Sequence, residues 1–385
     1  MHLKKKKLLL ILFAFILLLS LFLLKVQEHM IDFEVNYKAG KRLGGGESLY
    51  QEVEDGHFMF KYLPSSALLY LPLSFLPLNV AKAFWYFIVA FCLCSLVYVS
   101  AKILPLEEIK SVYLFIFPPL ILARYFLREL HLGQINALVT MILLFMIWFL
   151  IYEKNTIRSQ KDIYAGLLWG LATALKPYAL IFLPYFLLKK KWKSLLSGVG
   201  FLFLALLIPA AFYGFRGNII ILKEWISTLS RSAQALLASQ DNISIIALFM
   251  KWTGNQNISL LLSGLVMALL AFLVLTVILI GRKIDRAPVL ECSILLILIP
   301  LISPLGWDYT LLMSVLGVTI IIRNFSGYSK FWRGFLVFNF FIITFSLYDI
   351  MGRELYARFM SWSVITINFL ILTGYLMHLR FRKIC

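Results

Sequence analysis

Long apolar runs cut by short charged clusters dominate the chain. This is the pattern of helices that satisfy their own backbone hydrogen bonds while their side chains face lipid. A helix needs about 20 apolar residues to cross the hydrocarbon core, and about twelve runs approach that length. They fall near residues 8–24, 81–101, 111–126, 134–152, 163–175, 177–188, 194–213, 257–280, 288–303, 309–322, 333–348 and 360–378. The fifth and sixth are short and divided only by Lys176-Pro177, and the ninth and tenth only by the turn from Pro304 to Asp308. The pattern predicts an all-α polytopic membrane protein, a single transmembrane domain over residues 1–385 with no soluble domain.

Two connecting segments are long, residues 25–80 and 214–256. The first holds Gly44-Gly45-Gly46, suited to a positive-φ turn, and an amphipathic stretch from Ser65 to Leu78 that Pro72 and Pro77 interrupt. The second holds Ile219 to Leu237, apolar enough on one face to lie on a membrane.

Composition removes the soluble alternative: 61% of residues are hydrophobic and 15% charged, against roughly 25% charged in ordinary globular chains. The net charge of +18 would suggest nucleic acid in a soluble protein. With the N-terminus cytoplasmic and every run crossing, 22 of the 37 Lys and Arg fall in short cytoplasmic segments, and 13 of the 19 Asp and Glu fall on the other side. That asymmetry is the positive-inside rule. The charge therefore predicts a multi-pass inner (plasma) membrane protein with both termini cytoplasmic, in contact with membrane lipids and not with nucleic acid. Lys4 to Lys7 before Leu8 to Leu24 reads as a retained first helix, since no small-residue cleavage site follows. Four cysteines and five scattered histidines indicate neither a disulfide framework nor a metal site.

The unusual polar groups then stand out. Asp32 lies between apolar neighbours just past the first helix; it reads either as a proton acceptor for a hydroxyl or as a helix cap. Lys61 and Tyr62 lie in an aromatic, proline-rich segment typical of interfacial anchors. Arg124 and Arg128 precede Gln134 and Asn136, which enter the head of a span; they bond between helices or face a cavity, with the arginines snorkelling in the first case. Lys176, at a Pro-broken turn, wants an anion such as a phosphate unless it too snorkels. Asp308 sits between Trp307 and Tyr309 at a Pro-Gly turn, and an aromatic belt accounts for the rings but not for the acid. In one topology Asp32, Lys61, Arg128, Gln134, Lys176, Asn242 and Asp308 all fall on the outer face. That convergence fits an outer-leaflet cavity for an amphiphilic, phosphate-bearing lipid.

Taken in order, Asp32-Phe33, Tyr37-Lys38-Ala39-Gly40, Ser48-Leu49-Tyr50, Tyr62-Leu63-Pro64, Gly133-Gln134-Ile135-Asn136, Leu175-Lys176-Pro177-Tyr178, Asn242-Ile243-Ser244 and Ser303-Pro304 to Trp307 resemble glycosyltransferase family 87 of the GT-C superfamily. The resemblance implies a GT-C-like bundle of about twelve helices. It implies an inverting enzyme that moves a hexose, mannose foremost, from a polyprenyl-phosphate-linked donor to a lipid-linked or glycan acceptor outside the cytoplasm, with no cofactor. Asp32 matches the family's catalytic acid. Arg128, Lys176 and Lys61 would then bind the donor phosphate, while Tyr62, Gln134, Asn136, Asn242, Trp307, Asp308 and Tyr309 would bind substrate. The family commonly has a His shortly after the Trp of the Ser-Pro motif; Asp308 and Tyr309 stand there instead. A flippase of lipid-linked sugars is the rival, and would show polar groups open to both faces. A scaffold would leave Asp32 and Lys176 without a purpose.

Overall fold

The computed structural model describes residues 16–56, 58–104, 112–151, 158–279 and 287–382. The basic run Lys4 to Lys7, the start of the first helix, and most of the basic segment from Gly281 lie outside these residues. Apart from one antiparallel bridge between Asn242 and Trp307, every regular element described is helical.

In chain order, and leaving aside short helical turns, the helices are α1 (Ile31–Gly45), α2 (Leu78–Ile103), α3 (Tyr113–Ile121), α4 (Ala123–Leu132), α5 (Asn136–Ile151), α6 (Arg158–Leu175), α7 (Phe182–Leu188) and α8 (Trp192–Leu207). They continue as α9 (Ala210–Leu236), α10 (Ile245–Thr253), α11 (Gln256–Leu279), α12 (Ala287–Ile302), α13 (Val315–Arg323), α14 (Lys330–Phe345), α15 (Tyr348–Ser361) and α16 (Val364–Arg382). The apolar runs therefore fold as helices close to where the pattern puts them.

Breaks shorten most of these helices. Lys176-Pro177 ends α6 and starts a 3-10 turn over Pro177–Ile181, because proline has no N–H to continue the ladder but fits a first helical turn. The Pro304 turn separates α12 from a 3-10 segment, Asp308–Ser314. Among the described residues, three helices (α2, α11, α16) are long and apolar enough to cross a membrane. Two bent pairs raise that number to five: α8 with α9, bent by 90°, and α14 with α15, bent by 101°. The expected count of about twelve full crossings is thus met by length and composition at three to five places. The bends sit near glycines with positive φ, Gly214 and Gly352, where a side chain would be strained.

α12 and α13 are buried along nearly their whole length and form the centre, whereas α11 exposes Leu261, Leu265, Leu269 and Phe272 at the periphery. A lipid-facing helix has that profile. α6 and α8 approach closely through glycines: a Cβ on Gly166 would stand 2.0 Å from the Ser194 carbonyl oxygen, and one on Gly198 would stand 2.3 Å from the Trp169 ring.

The first long loop folds as α1 and a set of turns that rest on the bundle. Phe33, Ala39, Gly40 and Leu43 bury one face of α1. Phe33 stacks on Trp85 of α2, whose indole donates to the Gly133 carbonyl at 2.8 Å. Lys82 ties α2 to Glu34 and to the Gln27 carbonyl. Met30 precedes α1 as its cap, so Asp32 lies within the first turn and the cap alternative for it falls away. The stretch from Ser65 to Leu78 forms two 3-10 turns in place of a continuous helix. In the second loop, α9 covers the first. Its Tyr213 hydroxyl donates to the Glu47 carbonyl at 2.8 Å, its Trp225 indole donates to the Lys61 carbonyl at 3.2 Å, and its Glu224 accepts from Ser48 at 2.8 Å.

Candidate active site

Six stretches of chain converge where the first loop meets the helix ends. They enclose a cavity of about 840 Å3 lined by Asp32, Lys61, Tyr62, Arg128, Gln134, Lys176, Trp307 and Tyr309. Leu180, Ile181, Leu236, Ile299 and Ile302 supply an apolar side.

Each polar group is held by a local device. α1 carries Asp32 on its first turn, beside Gln134. Lys61 and Tyr62 are pinned through their backbone: Trp225 bonds one carbonyl, and the Tyr50 hydroxyl bonds the other at 2.6 Å. α4 ends on Gly133 with φ 67°, and the amide of Gln134 bonds back to the Glu129 carbonyl at 3.0 Å. That left-handed stop turns the chain so that Gln134 points into the cavity. A Cβ on Gly133 would meet the Phe33 side chain at 2.7 Å, so the turn also needs glycine for space. Lys176 caps the break after α6 and lies over the rings of Tyr62 and Tyr178 at 5.0 and 5.7 Å.

Gln134 is the hub of this arrangement. Its side chain lies close enough to the Asp32 carboxyl to favour the carboxylate, its Nε2 donates to the Tyr309 hydroxyl at 3.1 Å, and its Oε1 accepts from the Lys176 ammonium at 3.4 Å. Burial pushes the Asp32 carboxyl above the ordinary aspartate range, while Gln134, Lys176, Lys61 and Arg128 pull it back. Burial lowers the Lys61 ammonium, against the pull of Asp32. It also lowers Lys176 to about 8, against the charges of Glu129 and Asp32. The cavity thus holds a carboxylate that takes up a proton more readily than usual, facing cations.

Arg128 enters with much of its charge already matched. It donates to Asp308 at 2.8 Å and to Asp241 at 3.4 Å, and lies 5.9 Å above the Tyr309 ring. Asp308 accepts from Arg124 as well, at 2.7 Å. Arg124 is buried and also bonds Tyr356 and Ser346, so it anchors the site from within and does not snorkel.

Three residues expected to touch substrate stand behind the wall. Asp308 is fully buried between the two arginines. Asn136 donates to Glu129 at 2.9 Å and accepts from the Tyr178 hydroxyl at the same distance. Asn242 staples two loops: its Nδ2 donates to the Pro304 carbonyl at 2.9 Å, and its Oδ1 accepts from the amides of Ser244 and Gly306 at 3.1 Å. Its backbone pairs with Trp307. That staple holds Trp307 and Tyr309 side by side, with ring planes 14° apart and centroids 6.5 Å apart, a surface on which a sugar ring could lie.

The pattern along the chain did not single out Glu129, Asp241 or Tyr178. Glu129 stands seven residues before Asn136 and is fully buried; a single acid beside Arg128 and His131 reads as a solvated helix end, so spacing gave little signal.

A curated relative, an alpha-(1->3)-arabinofuranosyltransferase from Corynebacterium glutamicum, is 30% identical over 180 residues, which is 44% of this chain and 39% of that protein. The chain therefore spans well under half the length of that relative. No solved structure matches. The model of Glycosyltransferase family 87 matches residues 60–304, a stretch that begins beside Lys61 and ends at Pro304, with Asp32 ahead of it. The matched stretch is more than half of the chain and carries most of the cavity wall; the chain belongs to glycosyltransferase family 87.

Proposed function

We propose that this chain is an inverting glycosyltransferase that takes a sugar from a polyprenyl-phosphate-linked donor and gives it to a lipid-linked or glycan acceptor at the extracytoplasmic face. The observation that carries the reading is the meeting, in one cavity, of the half-buried Asp32 with Lys61, Arg128 and Lys176 beside an apolar wall.

In this reading Asp32 removes the proton from the acceptor hydroxyl as its oxygen attacks the anomeric carbon. The new carbon–oxygen bond forms on the face opposite the bond to phosphate, which breaks with its electron pair going to the phosphate oxygen. Lys176, Arg128 and Lys61 stabilise that developing charge. Tyr62, Trp307 and Tyr309 present faces to the sugar, with Gln134 bonding to it or to Asp32. The isoprenoid lies along Leu180, Ile181, Ile299 and Ile302. Asn136, Asn242 and Asp308 hold these groups in place from behind the wall. The broken helices are counted here as a bundle of about twelve spans, with both termini cytoplasmic.

Two donors are tested first: a mannosyl carrier, from the family pattern, and an arabinofuranosyl carrier, from the named relative. Purified protein in proteoliposomes is given radiolabelled polyprenyl-phosphate sugars and a lipid acceptor fraction. Transfer that falls by about 10²- to 10⁴-fold in Asp32→Asn supports the reading. Translocation of the donor without transfer would establish the flippase instead.

A further inference from the structure

The mechanism above leaves unused a carboxylate buried just behind the cavity. Glu129, near the end of α4, is fully buried. Its Oε1 accepts from the Ala137 amide at 2.7 Å and its Oε2 from the Asn136 side chain at 2.9 Å. Both donors belong to the first turn of α5, so Glu129 caps that helix across the Gly133 turn. A neutral side chain would serve as a cap equally well. A full charge in a buried place is costly unless an opposite charge faces it.

The opposite charge is Lys176. Other groups that feel the Glu129 charge include the phenols of Tyr62, Tyr70, Tyr178 and Tyr309 and the Cys92 thiol. None of them has a cationic form. The charges of Glu129 and Asp32 in turn both favour the Lys176 ammonium. A hydrogen-bonded line runs between the acid and the cavity. The Asn136 amide that donates to Glu129 also reaches Gln134 Oε1 at 3.4 Å, and Gln134 contacts Lys176, Tyr309 and Asp32. Asn136 Oδ1 holds the Tyr178 hydroxyl at 2.9 Å, beneath the Lys176 ammonium.

We propose that Glu129 is a positioning residue that supplies the buried negative charge keeping Lys176 cationic, and that through Asn136 and Gln134 it sets where Lys176 and Asp32 stand. The proposal rests on the assignment of Lys176 to the donor phosphate made above. Glu129 touches no substrate. Burial pushes its carboxyl above the ordinary glutamate range and the Lys176 ammonium below the lysine range, and each charge opposes loss of the other.

The test measures binding of farnesyl phosphate, a short stand-in for the departing carrier, to the full-length protein in detergent from about pH 7 to about pH 10. Lys176→Ala serves as the reference for the titration of the probe itself. In the wild type, affinity is expected to fall as pH rises through the Lys176 pKa. Glu129→Gln, which keeps size and an acceptor for Ala137, is expected to move that fall down by about one pH unit and to weaken binding by about two- to fivefold between the two midpoints, approaching about tenfold above them. Adding Lys176→Arg to Glu129→Gln is expected to restore binding at high pH, because a guanidinium keeps its charge. An unshifted fall in Glu129→Gln overturns the proposal. So does loss of binding at every pH in both Glu129→Gln proteins, which would reduce Glu129 to a helix cap. If the wild type and Lys176→Ala bind the probe equally at all pH values, the phosphate assignment itself is wrong, and the proposal falls with it.

Discussion

Asp32 and Lys176 are pushed by the same burial in opposite chemical directions, the acid toward its neutral form and the base toward its neutral form. Catalysis as proposed needs both charged. Raising pH through the Asp32 pKa ionises the base and turns transfer on, and raising it further through the Lys176 pKa discharges the phosphate site and turns transfer off. The pH profile of kcat/KM is therefore expected to be a bell, with its acid limb above the ordinary aspartate range and its alkaline limb near 8, well below ordinary lysine. Initial rates across pH check this, and Lys176→Arg should carry the alkaline limb upward while leaving the acid limb in place. A second consequence concerns Asp308, which sits between Arg124 and Arg128. Asp308→Asn leaves Arg124 buried beside a neutral partner, and breaking such a pair costs about 3–5 kcal/mol. A marked fall in Tm in detergent, together with weaker donor binding through the loosened Arg128, is the expected result.

Single turns decide whether the helix ends present their side chains correctly. Gly306 is the tightest: a Cβ there would stand 1.9 Å from the Pro300 carbonyl oxygen, and its own backbone bonds both Asn242 and Ile243. Gly306→Ala is expected to shift Trp307 and Tyr309 and to reduce transfer, and Asn242→Ala to do the same by removing the staple. Transfer rates read beside intrinsic tryptophan fluorescence check both. Helix positions were legible in the sequence because lipid demands long apolar runs, and the breaks were legible because Lys176-Pro177 and Pro304 interrupt them. Asp32, Lys61, Arg128, Gln134 and Lys176 could be grouped because a polar residue at a span end is rare enough to be noticed. What stayed hidden was the side of the wall each residue occupies. Asn136 lies two residues from Gln134 and Asp308 next to Trp307, yet both turn inward to bond protein, as Asn242 does. Glu129 was invisible because its partners come from the next helix and from Lys176, 47 positions away by chain number.

Across the whole molecule the two ends differ in chemistry. At one end is the cavity. At the other, near the start of α12, Glu291 is buried between Lys189 and Arg380 at 2.8 and 3.0 Å, within the segments whose basic excess predicts the cytoplasmic side. In a cysteine-free background, a cysteine in place of the exposed Lys41 is expected to react with an impermeant maleimide added outside intact cells, whereas one in place of Lys190 should react only after the membrane is opened. The reverse pattern would place the cavity in the cytoplasm and remove the polyprenyl-donor reading. The right-angle bend near Gly214 also has a kinetic meaning. It turns α9 at a right angle to α8 with Phe215, Ile219, Ile220 and Ile226 exposed, the apolar face expected of a helix lying in a membrane interface. If the proposed polyprenyl-phosphate donor reaches Asp32 along that face, it never enters bulk water. Its encounter rate should follow its mole fraction in the bilayer, so diluting the donor with inert lipid at constant total amount should slow the reaction, while changing the volume of buffer should not.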